Sequence, residues 1–112
     1  MSKIEHALMS FGGHQYRRCY RDLCWAIYVV MLYLPDSPQM KYIVAEVCER
    51  TNKGSPKTVW RSVSRAVEDL WTNGDKDALG AVRRGWRWYQ PKPQEFIYVM
   101  AWTLRVKELR GE

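Results

Sequence analysis

Apolar positions along this chain recur at intervals of three and four residues, the period of helices buried along one face. The strongest run follows His14, where Tyr16, Tyr20, Leu23, Ile27, Val30, Met31 and Leu34 fall on one side of a long predicted helix. Arg17, Arg18 and Arg21 lie off that stripe and are expected in solvent. Pro35 and Pro38 end the helix in a turn, because proline lacks the N–H that a helix interior needs. Before it, Ile4 to Ser10 predicts a short helix stopped by Gly12 and Gly13. After it, Met40 to about Arg50 predicts another, with Met40, Ile43, Val44, Val47 and Cys48 inward.

The stretch from Ser55 to Gly74 is the most informative. Ser55 is a natural N-cap and Pro56 suits the first helical position. Behind them, Val59, Val63, Ala66, Val67 and Leu70 form one apolar stripe. The opposite face carries Lys57, Arg61, Ser64, Arg65 and Glu68, and Gly74 is the expected stop. Such a cationic and hydroxyl face suits the major groove, where Arg and Lys pair with guanine edges. An amphipathic surface helix without that role satisfies the same pattern. The polar run Thr51-Asn52-Lys53-Gly54 joins the preceding helix to this one, so the two predict a helix-turn-helix.

Beyond Gly74, Asp75 to Arg84 predicts a short helix, acidic at its start and with two arginines at its end. Gly85 to Pro91 alternates apolar and polar residues, as in an extended wing or in a loop whose aromatics pack on the core. Pro93 opens a last helix with Phe96, Ile97, Met100, Ala101, Leu104 and Leu109 inward. The sum is an all-α fold: one domain over residues 1–112, built as a compact bundle of about six helices.

Charge narrows the partner. Among 112 residues, 18 Lys and Arg against 12 Asp and Glu leave a net charge of +6, which favours a polyanion. From Lys53 to Trp88, eight cations (Lys53, Lys57, Arg61, Arg65, Lys76, Arg83, Arg84, Arg87) face four acids, so this third supplies +4 of that excess. Six Trp and seven Tyr serve either a dense core or base stacking.

Other chemistries lack parts. Cys19, Cys24 and Cys48 are odd in number and form no CxxC, so reduced core thiols of a cytoplasmic protein are expected rather than disulfides or zinc ligands. No metal, cofactor or small-molecule substrate is expected. His6 and His14 have no nucleophile or carboxylate at a helical spacing, and no phosphate loop or HExxH occurs, so no enzyme is expected. The N-terminal MSKIEHALMSFGG has no apolar leader core. Ala26 to Leu34 is too short for a bilayer, which needs about 20 residues, so no membrane partner is expected.

Four stretches together resemble the C-terminal DNA-binding domain of the stage-zero sporulation response regulator of endospore-forming Firmicutes. GHQY at Gly13 to Tyr16 is similar to that family's GYQY, and SPKTVWRSVSRAVEDLW to its recognition helix, TPSRVERAIRHAIEVAW. Trp71 to Asp75 is similar to its W-x-x-G-[ND] exit. Lys92-Pro93, Glu95-Phe96-Ile97 and Leu104-Arg105 resemble its KP-x-x-x-EFI and KLR segments. The resemblance covers about residues 10 to 108. It implies a six-helix domain that binds duplex DNA as a transcription factor through its third and fourth helices. It also implies weak head-to-tail self-association of copies on tandem sites.

At the recognition helix, the family's first arginine falls at Thr58 and its glutamate at Trp60; Arg61 is kept, and its arginine-histidine pair becomes Ser64-Arg65. The turn before the helix is longer, and the segments from Gly85 to Pro93 and from Pro93 to Phe96 are shorter. No receiver domain is expected ahead of the module, so control by phosphorylation does not carry over. The base-reading set expected here is Lys57, Thr58, Trp60, Arg61, Ser64 and Arg65, with a site preference different from the family's. Lys53 and Ser55 are expected at phosphates, with Arg83, Arg84 and Arg87 flanking them. The rival reading is a protein-interaction module, or an antagonist of a full-length regulator, anchored by Trp60.

Overall fold

Each apolar stripe needs a partner surface, and six helices supply them to one another. The structure, a computed structural model, describes residues 1–111. In chain order these form α1 (Ser2–Met9), α2 (Cys19–Tyr33), α3 (Met40–Thr51), α4 (Pro56–Asn73), α5 (Lys76–Val82) and α6 (Pro93–Leu109), with a 3-10 turn at Arg84–Arg87. The fold is an all-α bundle of six helices; the only extended pairing among the described residues is one bridge between Gly12 and Gly74. The central helix α2 packs on α1, α3, α4 and α6, and α3 also packs on α4.

The predicted stripes meet in one core. Leu23, Ile27 and Val30 of α2 are fully buried against Ile43 and Val47 of α3, Val63 and Leu70 of α4, and Phe96 and Ile97 of α6. Burying one such side chain contributes about 1.5–3 kcal/mol. Aromatic packing fixes the far end: Trp86 stacks on Phe96 at 5.1 Å between centroids, and Phe11 meets the same ring edge-on at 6.3 Å.

Four expectations change. The long helix starts at Cys19 rather than His14, and residues 14–18 form turns that leave Tyr16 83% exposed. Tertiary hydrogen bonds override the period here: Gln15 Nε2 donates to the carbonyls of Leu8 and Gly12, and His14 is held by α4. The helix after Gly74 ends at Val82, so Arg83 and Arg84 lie past its last turn. The aromatic segment after it is no wing, because its 3-10 turn buries Trp86 completely while Trp88 stays exposed. Leu109 is exposed, since α6 outruns the core by its last turn.

Candidate nucleic-acid interface

The surface begins at the link between α3 and α4. Asn52 closes α3 in the left-handed region (φ 54°), a conformation asparagine tolerates. Gly54 follows at φ +72°, where an added Cβ would also lie 3.1 Å from Thr58 Oγ1. These two residues turn the chain sharply enough to start α4 at an extended Ser55. The cap is reciprocal: Thr58 N–H donates to Ser55 Oγ at 3.3 Å, and Ser55 N–H donates to Thr58 Oγ1 at 2.9 Å. Pro56 carries no N–H, so the Lys57 amide is the one left free at the start of α4.

From that cap, α4 buries the whole predicted stripe, Val59, Val63, Ala66, Val67 and Leu70, and turns its polar side outward. Lys57, Arg61, Arg65 and Glu68 share about 80° of the helix circumference. Lys57 to Arg65 spans about 12 Å of helix length. All four are exposed, and none makes an ion pair among the described residues. Lys53 on the turn is equally exposed and unpaired. Trp60 flanks the face with 43% of its surface exposed.

The remaining candidate residues are committed to the fold to differing degrees. Thr58 is exposed but spends its hydroxyl in the cap, also donating to the Ser55 carbonyl at 2.9 Å. The Ser64 hydroxyl donates to the Trp60 carbonyl at 3.0 Å, which leaves it an acceptor only. Arg83 pairs with Glu95 at 3.3 Å, and Arg87 pairs with Asp77 at 2.9 Å while packing over Gly80. Lys76 sits 4.3 Å above the Trp71 ring and donates to that residue's carbonyl. Among the eight cations from Lys53 to Trp88, those without a partner among the described residues are therefore Lys53, Lys57, Arg61, Arg65 and Arg84. Four of these five lie on the α3–α4 turn and α4.

Sequence reasoning missed the residue that fixes this helix. Asp69, 4% exposed, accepts the His14 backbone N–H at 2.8 Å, the His14 Nδ1–H at 2.8 Å, the Asn73 amide at 2.8 Å and the Tyr20 hydroxyl. An ionised carboxylate only accepts, so Nδ1 carries the proton of the His14 ring. Arg17 Nη1 completes the set at 3.3 Å. Burial pushes the Asp69 carboxyl upward, but the bonds from Tyr20, His14 and Asn73 outweigh it and hold it well below the usual carboxylate range. Burial, and then the bond to Asp69, raise the Tyr20 hydroxyl well above its ordinary value. One signal was present in the sequence: Asp69 lies about 60° from Ala66 on the helix wheel, at the edge of the apolar stripe.

His14 does meet a carboxylate, contrary to the expectation from spacing along one helix, because the pairing spans two segments. No hydroxyl or thiol of the described residues hydrogen-bonds to its ring. The neighbouring Cys19 thiol is raised by burial and then by Asp69, the wrong direction for a nucleophile. Burial pushes Cys24 up to about 12, and all three cysteines are free thiols. Among the described residues no group of three or more His, Cys, Asp or Glu could hold a metal. No helix there is long and apolar enough to cross a membrane.

No family model matches this chain, and no curated protein matches it.

Proposed function

We propose that this chain is a sequence-specific, duplex-DNA-binding transcription regulator that lays α4 in the major groove, with α3 and α4 as its helix-turn-helix. One observation carries the reading: Lys57, Arg61 and Arg65 stand exposed, and unpaired among the described residues, along one face of a reciprocally capped helix. Elsewhere on the surface Arg50, Arg83, Arg87 and Arg105 are held in ion pairs. Donors kept free on a helix of this kind match the guanine O6 and N7 acceptors of the groove. Arg61 takes the principal base contact. Lys53 and the Lys57 amide meet phosphate at the helix start. Arg84, unpaired among the described residues, takes a flanking contact.

The resemblance to the sporulation regulator's effector domain supports the same role and extends it to self-association on tandem sites in the bacterial cytoplasm. Site preference differs from that family's. Thr58 brings no guanidinium fork, Trp60 cannot accept from cytosine, and Arg65 adds a donor. The reading assigns no catalysis, cofactor, metal or small-molecule substrate.

The exposed Trp60 ring favours a second reading, a protein-binding module that antagonises a full-length regulator. Selection from a pool of randomised duplexes at two salt concentrations separates the two. The DNA reading expects an enriched sequence whose affinity falls steeply with salt through counterion release. No enrichment and no salt-sensitive binding to any duplex would leave the protein-binding reading.

A further inference from the structure

Arg17 and Arg18 stand on a ridge between two clefts. On one side, a cleft of about 530 Å³ separates the ridge from the second half of α4, and Arg65, Ser62, Thr72 and Glu68 line its far wall. On the other, a cleft of about 660 Å³ lies against α1 and the start of α2, with Tyr16, Arg21 and Trp25 in its lining. The ridge is no loose loop. Two hydrogen bonds from His14 to Asp69 tie it to α4, and Gln15 ties it to the carbonyls of Leu8 and Gly12.

The charges along the first cleft are arranged asymmetrically. Asp69 is buried beneath it, and its oxygens are already taken by Tyr20, His14, Asn73 and Arg17. Its charge is thereby spent inside the protein, where it orients the Arg17 guanidinium. Arg18 and Arg65 are exposed and make no ion pair among the described residues. Glu68 is the one exposed carboxylate of the lining. Hydroxyls of Ser62 and Thr72 complete a lining rich in donors.

We propose that Arg17 and Arg18, facing Arg65 across this cleft, grip a backbone phosphate of duplex DNA and make the ridge a sequence-independent arm of the interface. The inference rests on the DNA reading of α4. A helix in the major groove has a sugar-phosphate strand on each side of it, within a groove about 12 Å wide. Arg65 belongs both to the α4 face and to the cleft wall, so a strand flanking that face runs over the cleft mouth. Arginine suits this place because its planar fork pairs with two phosphate oxygens at once. Glu68 opposes the contact and tempers it.

Arg18→Ala and Arg18→Glu test this arm, since an exposed, unpaired side chain can be replaced without disturbing the fold. The full chain is titrated with a duplex taken from the randomised pool, and with a scrambled duplex, over a series of salt concentrations. Arg18→Ala should lower the slope of log affinity against log salt by about 0.9, equally for both duplexes, and Arg18→Glu by more. Glu68→Gln should tighten both complexes. Unchanged slopes in both Arg18 variants, with Arg61→Ala still relaxing sequence preference, would overturn the ridge contact and leave the DNA reading standing. A loss confined to the selected duplex would equally overturn it as a phosphate contact. If the parent chain shows no salt-sensitive binding to any duplex, the DNA reading fails and this inference with it.

Discussion

His14 and Asp69, 55 positions apart in the chain, are joined twice: the His14 backbone N–H and its ring Nδ1–H both reach the Asp69 carboxylate at 2.8 Å. The pair fastens the entry to α2 onto the outward helix α4. It makes the orientation of that helix depend on a carboxylate that must stay ionised.

The pH dependence of stability follows from the sign of the Asp69 shift. Its folded carboxyl titrates below the unfolded value of about 3.9, so its contribution is complete at neutral pH. That contribution fades below about pH 5 and is lost as pH falls through the folded value. Removing the carboxylate by Asp69→Ala should cost about 1–3 kcal/mol at neutral pH for each buried donor it leaves unpaired, chiefly the Tyr20 hydroxyl and the His14 N–H. Urea unfolding across the acid range checks both points. The parent curve should fall more steeply than the variant's, and parallel curves would contradict the assignment.

Gly13 makes the pairing possible. Its φ is +73°, and an added Cβ would lie 2.6 Å from the Tyr20 hydroxyl and 3.3 Å from Asp69 Oδ2. Gly13→Ala should therefore destabilise the fold by about 1–3 kcal/mol through strain, and more where Tyr20 is displaced. Thermal unfolding of the variant reads this directly. An unchanged Tm would mean that the turn relaxes freely.

Thr58 separates a structural role from a reading role. Its hydroxyl is occupied by Ser55, so Thr58→Val should lower stability by about 0.5–2 kcal/mol, as cap losses do. The preferred DNA sequence should not move. A change in the sequence selected by Thr58→Val would return the residue to the base-reading set.

Around α4, the free Lys53 and the paired Arg87 should differ in their effect on phosphate binding. Lys53→Ala should weaken binding to all duplexes alike and reduce the salt slope by about one. Arg87→Ala should leave the slope near the parent's, because Arg87 already serves Asp77. Equal slope changes in the two variants would show that the internal ion pair opens on DNA.

The legible parts of this protein are the local ones. Ser55-Pro56, the stripe from Val59 to Leu70 and the inward positions of α3 are decided within a few residues, and they stand in the structure as the sequence predicts. Gly74 stops α4 as expected, with an ordinary, extended backbone (φ −90°). Glycine is needed because a Cβ would lie 2.2 Å from the Leu70 carbonyl oxygen and 2.7 Å from that of Phe11. The Leu70 contact is local, whereas the Phe11 contact comes from a distant segment and leaves no trace in local pattern. Asp69 shows only its place at the edge of the apolar stripe in the sequence, because its partners His14 and Tyr20 come from a distant segment. Arg83 and Arg87 read as free cations until the 3-10 turn carries them to Glu95 and Asp77.

The central claim is that the α4 face reads base pairs, and Arg61→Ala tests it most directly. The variant and the parent are titrated against the selected duplex and against single-base-pair substitutions of it. Losing a bidentate contact should cost about 1–3 kcal/mol on the selected duplex and abolish discrimination at one base pair while keeping it elsewhere. An Arg61→Ala variant that binds every one of these duplexes as the parent does would contradict the account.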